Sequence, residues 1–294
     1  MLTLKNKLIL GTAQFDNHYG LLKNKFKFNK DNIKKILDYL QKLGLNALDT
    51  SLEYKNVDQK INLKSKKNFR VISKIKFSNK DINKISKKEL ENKILKSIKI
   101  SKKNLGLVRF EALLIHNFET LSFKNQKKIF EILTDIKKTR IYNKIGFSIY
   151  DFQKLLKSLK KFTPEIIQCP YNIFDRRLEN KTLIKLIKQK KISIHARSVF
   201  LKGLLLIRPD KLPKKIKKFF KPINNWHSWT LKNKINKISA LLSFVLLNKN
   251  IDKIVIGIQD FNQLKEILKS KINKKINIKN FKINNHEMLS PNKW

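Results

Sequence analysis

The chain of 294 residues contains a single cysteine, Cys169, so an internal disulfide is excluded. Its five histidines, His18, His116, His195, His227 and His286, share no zinc-type spacing with that cysteine, and no structural metal is expected. Long apolar runs are also missing. Lys or Asn interrupts every hydrophobic stretch well short of the roughly 18 residues that a membrane span needs, which predicts a soluble chain with no membrane partner. The opening "MLTLKNKLILGTAQF" lacks the apolar block and small-residue cleavage site of a secretory signal, so the expected location is the cytoplasm. Acidic residues are scarce, 22 against 67 Lys and Arg, for a formal charge of +45. Such a surface has some salt-dependent affinity for any polyanion. Arginine is scarce as well, at seven of the 67, although the guanidinium fork is the favoured group for bidentate phosphate and guanine recognition. The lysines are spread over the polar faces of nearly every helical segment, with no single basic stripe or arm. The charge therefore reads as a compositional bias at solvated positions, and no specific nucleic-acid partner is expected.

What is present is an apolar fraction of 41%, enough for a sizeable core, in a regular alternation of two segment types. Eight short apolar runs recur: "KLILG" (7–11), "LNALD" (45–49), "FRVISK" (69–74), "FEALLIH" (110–116), "KIGFS" (144–148), "EIIQC" (165–169), "ISIHA" (192–196) and "KIVIG" (253–257). They are near-continuous in hydrophobicity, as parallel strands covered on both faces require. Amphipathic patterns separate them. Ile33, Ile36, Leu37, Leu40 and Leu43 form one helical face closed by Gly44, and Leu90, Ile94, Leu95 and Ile98 form another. A third comprises Ile235, Ile238, Leu241, Leu242 and Val245, and comparable stripes occupy 126–138, 151–160, 178–189 and 261–269. Eight strands, each followed by a helical segment, predict an α/β fold, a single (β/α)8 TIM barrel over residues 1–294. An open doubly wound sheet is the alternative, but "LGTAQF" after the first run is no G-x-G-x-x-G.

Active sites in such barrels sit at the C-terminal ends of the strands, so polar residues that close apolar runs are the candidates. Asp49 closes the second run, Lys74 the third and His116 the fourth, and Tyr54 follows Asp49 in its loop. Adjacent strands lie about 4.8 Å apart, so three consecutive strand ends form one patch over which Tyr54 can fold. A phenol with a pKa near 10 is a poor proton donor at neutral pH, and lowering it by about three units takes about 4 kcal/mol. A lysine ammonium about 4 Å away at an effective dielectric of about 20 supplies that order of energy, and Asp49 would position the cation. His116 could then donate a hydrogen bond to a carbonyl oxygen while Tyr54 serves as general acid. Singly, each residue also reads as structural: a rim ion pair, a core-edge histidine, a packed aromatic. Their joint placement on successive strand ends favours chemistry. Cys169 reads as a small buried hydrophobe and His195 as structural. Residues 207–230 form a long excursion after the seventh run, in which Trp226 either shapes a substrate pocket or packs on the barrel rim.

In chain order, "LILGTAQF" with "YG" (19–20), "LDTSLEY", "VISK", "LLIH", "IGFS", "IIQCPYNIFDRR", "HARSVFLKGLLL" and "IVIGIQDFNQL" resemble the blocks of the aldo-keto reductases. The last three most resemble a bacterial branch found among surface-sugar biosynthesis proteins. The resemblance implies a barrel that reduces a small-molecule carbonyl, possibly of a sugar or sugar derivative, with a nicotinamide cofactor, usually NADPH. It matches Asp49, Tyr54, Lys74 and His116 to the family's catalytic tetrad, and Ser148 and Gln168 to residues that hold the nicotinamide carboxamide. It further implies cofactor contacts from Gly11 and Thr12, from Arg197, Ser198, Phe200 and Gly203 after the seventh strand, and from Gly257, Gln259 and Gln263 at the adenosine phosphate end. Arg197 stands where many members place an aromatic ring under the nicotinamide, and its planar guanidinium can stack similarly. Three departures stand out. "YKNVDQK" lacks the usual Gly after the tyrosine, Ile149 replaces a common Asn, and 257–264 contain no Arg or Lys for a 2′-phosphate, so NADH is a possible cofactor.

Overall fold

The computed structural model describes residues 4–17, 26–66, 68–291 and 294; the Tyr19–Gly20 pair and His18 lie outside them. Eight parallel strands close into a barrel in simple sequence order: β1 Leu8–Gly11, β2 Ala47–Asp49, β3 Arg70–Lys76, β4 Phe110–His116, β5 Tyr142–Ser148, β6 Ile166–Pro170, β7 Ser193–Arg197 and β8 Lys253–Gly257. Closure comes from β8 pairing with β1, Leu8 opposite Ile254 through Gly11 opposite Gly257. All eight expected runs are strands, and β3 continues two residues past the end of its run, to Lys76.

Side chains alternate in and out along each strand, and the barrel uses the two faces differently. The inner face carries a small dry cluster of Ile9, Ile72, Ala112, Leu114, Ile166 and Val255. At Gly146 a Cβ would come within 2.3 Å of the Leu114 side chain and 2.7 Å of the Ile166 carbonyl, so β5 can pass this layer only as glycine. The outer face meets the helices in one large core that includes Leu37, Ile98, Leu113, Ile132, Leu155 and Ile187. Burying each such side chain contributes about 1.5–3 kcal/mol.

The helices begin and end where local chemistry dictates. Lys87–Leu105 starts at Ser86, whose hydroxyl accepts from the Glu89 amide while the Glu89 carboxylate accepts from the Ser86 amide, and it stops at Gly106 with φ of 72°. Leu90, Ile94, Ile98 and Leu105 line its buried face. Asn29 caps the start of Lys30–Lys42 by the same reciprocal pair, with Asn32, and Asp151 caps Phe152–Leu159 by accepting from the Gln153 and Lys154 amides.

The excursion after β7 contains a helix, Phe220–Lys232, that periodicity did not reveal. Trp226 sits on its inner face, fully buried, donating its Nε1 hydrogen to the Leu205 carbonyl at 2.8 Å and packing on Trp229 and Phe281. The C-terminal tail lies across the same end of the barrel: the Ile283 amide donates to the Phe174 carbonyl at 3.0 Å, and Lys202 Nζ donates to the Pro291 carbonyl at 3.0 Å. Among the described residues no helix is long and apolar enough to cross a membrane.

Candidate active site

One step of two residues up each strand from the inner cluster places a ring of side chains at the C-terminal mouth. From Ile9, Ala47, Ile72, Leu114, Gly146, Ile166, His195 and Val255 the alternation leads to Gly11, Asp49, Lys74, His116, Ser148, Gln168, Arg197 and Gly257. All eight line a single cleft of about 460 Å³. Strand parity alone therefore gathers residues from eight distant places in the chain, in keeping with the layered interior of such barrels.

At β2 and β3 the Asp49 carboxylate is gripped from two sides. Lys74 Nζ donates to Oδ1, and Gln168 Nε2 donates to Oδ2 at 2.7 Å. Lys74 also donates to the Thr50 carbonyl at 2.9 Å, and at 3% exposure it has almost no access to water. Burial pulls its ammonium below the ordinary lysine range and nearby Arg197 pulls the same way; the Asp49 carboxylate opposes both. Thr12 is fully buried and absent from the cleft lining; its hydroxyl donates to the Asp49 carbonyl at 3.1 Å, so it braces β2 from behind.

Tyr54 reaches the cleft because its loop is tied down at both ends. The Leu52 amide donates to the Lys74 carbonyl at 2.9 Å, and the Tyr54 amide donates to the Ser51 carbonyl at 3.1 Å. Beyond the tyrosine, Val57 is fully buried and Asp58 accepts from the hydroxyls of Thr50 and Ser101. Burial pushes the Asp58 carboxyl up to about 6, the two hydrogen bonds acting against it. Asp58, through Ser101, thus ties this loop to helix Lys87–Leu105, and Val57 seats it in the core.

His116 faces the same cleft from β4. Burial, followed by the cations of Lys74, Arg197 and Lys76, depresses its pKa to about 3, so the imidazole is neutral at physiological pH. Beside it Asn117 adopts a left-handed backbone, φ 54°, and lines the cleft with a buried Oδ1 that has no hydrogen-bond partner.

The β5–β8 half is built differently. Ser148 and Gln168 pair directly across β5 and β6, and both Ser148 Oγ and Gln168 Oε1 are buried without a partner. A hydroxyl beside an amide oxygen suits a primary carboxamide, which offers two N–H donors and one acceptor. Ile149 is fully buried outside this lining; its carbonyl accepts from Arg197 at 2.9 Å. The Arg197 guanidinium carbon lies 3.9 Å from the Tyr150 ring centroid, which holds its plane at the cleft wall. Glu119, buried after β4, fixes Tyr150 by accepting from its amide at 2.7 Å and from the Asp151 amide at 3.2 Å. After β7, Ser198, Leu201, Lys202 and Gly203 all have positive φ, a strained run that Asn172 secures by donating to the Ser198 carbonyl at 3.0 Å. At the far end Gln259 and Gln263 flank the start of helix Phe261–Lys269, and Gln263 Oε1 accepts from the Gln259 amide at 2.7 Å.

The structure therefore brings Gly11, Asp49, Tyr54, Lys74, His116, Ser148, Gln168, Arg197, Ser198, Phe200, Gly203, Gly257, Gln259 and Gln263 to one cleft, and places Thr12 behind it. Sequence reasoning missed Gln14, Lys76, Asn117 and Tyr150 in the lining, and Glu119 beneath it. Lys76 shares the strand parity of Lys74, a legible signal; the others sit in loops or single 3-10 turns after the strands and carry none. Cys169 is fully buried, its thiol pushed up to about 12 by burial. His195 occupies the barrel interior below Arg197, depressed to about 3 by burial, outside the cleft lining. Among the described residues no group of three or more His, Cys, Asp or Glu could hold a metal ion.

The model of the aldo/keto reductase family matches residues 7–284. Two solved structures from Pseudomonas aeruginosa, both described as of an aldo-keto reductase, share the fold with TM-scores of 0.60. One is 16% identical over 89% of this chain and 88% of its own; the other is 17% identical over 89% and 87%. No curated protein sequence matches the chain.

Proposed function

Because the chain belongs to the aldo/keto reductase family, we propose that this cleft reduces the carbonyl of an aldehyde, ketone or sugar with NADPH or NADH, Tyr54 acting as general acid. NAD(P)H-dependent carbonyl reduction is the activity that membership implies; the assignment of roles to residues is our reading. The observation that carries it is Lys74, sealed from water and held by Asp49, at the root of a cleft that Tyr54 and His116 also line.

A reduced nicotinamide, when bound, supplies the hydride that reaches the carbonyl carbon. The residues present fit that cofactor: Ser148 and Gln168 carry unpartnered buried atoms of the right kind for its carboxamide, and Arg197 offers a stacking plane. Gly203 leaves room on its Cα face toward the phosphate end, where Lys202, Gln259 and Gln263 also line the cleft. Tyr54 donates its phenolic proton to the developing alkoxide. Lys74 stabilises the phenolate left behind, and Asp49 fixes the ammonium in place. Neutral His116 donates an N–H to the carbonyl oxygen and so orients it. A sugar or sugar derivative fits the hydrogen-bonding groups of Asn117 and Gln14 in the lining. The cytoplasm, where reduced nicotinamide is supplied, is the proposed location.

Fluorescence titration with NADPH and NADH, then a panel of carbonyls, tests this reading. Tight cofactor binding with cofactor consumption supports it. Binding without turnover across the panel would instead indicate a catalytically weak cofactor-binding or regulatory protein on the same barrel.

A further inference from the structure

We propose that the carbonyl substrate carries an anionic group, a carboxylate or phosphate a few bonds from the carbonyl, and that Lys76 binds it; this rests on the reading of the cleft as a carbonyl-reducing site. The inference starts from charge. Among the described residues that line the cleft there is one carboxylate, Asp49, and both of its oxygens are occupied by Lys74 and Gln168. Lys76 lines the same cleft with no carboxylate within ion-pair distance among the described residues. It lies one alternation beyond Lys74, on the same face of β3, and pairs directly with His116 on β4. Adjacent strands stand about 4.8 Å apart, so a lysine there commands the space next to whatever His116 contacts.

The cofactor's phosphates do not account for this cation. Apart from Gly11 at the end of β1, the candidate cofactor groups in the lining, among them Ser148, Gln168, Arg197, Gly203, Gly257 and Gln263, come from β5–β8 and their loops. β3 stands across the closed ring from β7, so Lys76 faces the half left to the substrate, together with Tyr54, His116 and Asn117. That half is polar: Tyr54 is its single aromatic lining residue among those described, and the buried Asn117 Oδ1 lacks a partner. A large apolar carbonyl would leave such groups unsatisfied. A short anionic one with hydroxyls would pair with them.

The test uses matched carbonyl pairs with the full chain and reduced cofactor: an oxo acid against its amide, and a phosphorylated hydroxyaldehyde against the unphosphorylated one. The ratio of kcat/KM, anionic over neutral, is expected to exceed unity for at least one pair and to fall about five- to tenfold in Lys76→Gln, the size of one partly screened charge-assisted contact. Which pair responds separates carboxylate from phosphate. Lys160→Gln, an exposed lysine at the opposite end of the barrel, should leave the ratio intact, which separates a local contact from the general +45 charge. A wild-type ratio at or below unity for both pairs, or equal ratios in wild type and Lys76→Gln, overturns the proposal. Should no carbonyl be turned over at all, the failure lies with the reductase reading. Calorimetric affinities of the same pairs for the cofactor-loaded protein then decide the anion contact by the same comparison.

Discussion

Breaking the Asp49–Lys74 pair should cost stability and chemistry together, and a double-mutant cycle separates the two. Both side chains are almost completely buried, at 4% and 3% exposure, and removing one partner of such a pair leaves an uncompensated charge, a cost of about 3–5 kcal/mol. Asp49→Asn should fall at the low end, about 3 kcal/mol, because Lys74 keeps the Thr50 carbonyl at 2.9 Å and the unpartnered Gln168 Oε1 can turn to accept from the new amide. Unfolding entropy of about 2.1 cal/mol/K per residue gives about 0.6 kcal/mol/K for 294 residues, so that loss lowers Tm by about 5 °C. Lys74→Met leaves Asp49 with Gln168 as its remaining donor and should cost a similar amount. The double variant removes both charges, so it should be less destabilised than the sum of the singles by at least about 1 kcal/mol. Urea midpoints and thermal melts of the four proteins measure the cycle. Strict additivity, within about 0.5 kcal/mol, would refute the coupled buried pair on which the modulation of Tyr54 depends.

Three further outcomes follow from neighbouring contacts. Asp58 holds its proton up to about pH 6 in the fold but releases it near 3.8 when unfolded, so the native state binds the extra proton between those values and the Asp58 contribution to stability falls as pH rises through them. The full loss is about 3 kcal/mol, of which about 2 kcal/mol falls between pH 4 and pH 7, and denaturation at those two values should show wild type losing ground to Asp58→Asn by that amount; a pH-independent difference would contradict it. Glu119→Ala should weaken cofactor affinity severalfold by freeing the amides that hold Tyr150 under Arg197, and Glu119→Gln, which keeps an acceptor, should restore most of it. Titration of both variants checks this, and equal affinities would show that Tyr150 is held by other means. Trp226→Phe should cost about 2–3 kcal/mol through the lost Leu205 hydrogen bond and the smaller ring, while kcat/KM stays within about twofold because Trp226 does not line the cleft.

The barrel was legible because its strands are buried on both faces and therefore appear as uninterrupted apolar runs, and because a polar residue at the end of such a run has to face the mouth. Asp49, Lys74 and His116 stood out on that ground, as did Ser148 and Gln168 once the resemblance was seen. Lys76 was passed over because the run "FRVISK" ends at Lys74, although the inward parity of β3 extends to it. One lysine among so many carries no compositional signal. The helix Phe220–Lys232 was hidden by its mix of aromatic and polar residues and by Pro222 in its first turn, which reads as a loop but is tolerated where the first amides need no intrahelical partner. Glu119 and Tyr150 act through loop hydrogen bonds, which no periodicity records.

The central claim is that Tyr54 delivers the proton. Single-turnover oxidation of bound NAD(P)H by a carbonyl substrate, followed in wild type and Tyr54→Phe, tests it most directly. A rate reduced by at least about 10²-fold with cofactor affinity nearly unchanged is the predicted result. Turnover in the variant at a rate close to that of wild type would contradict the assignment.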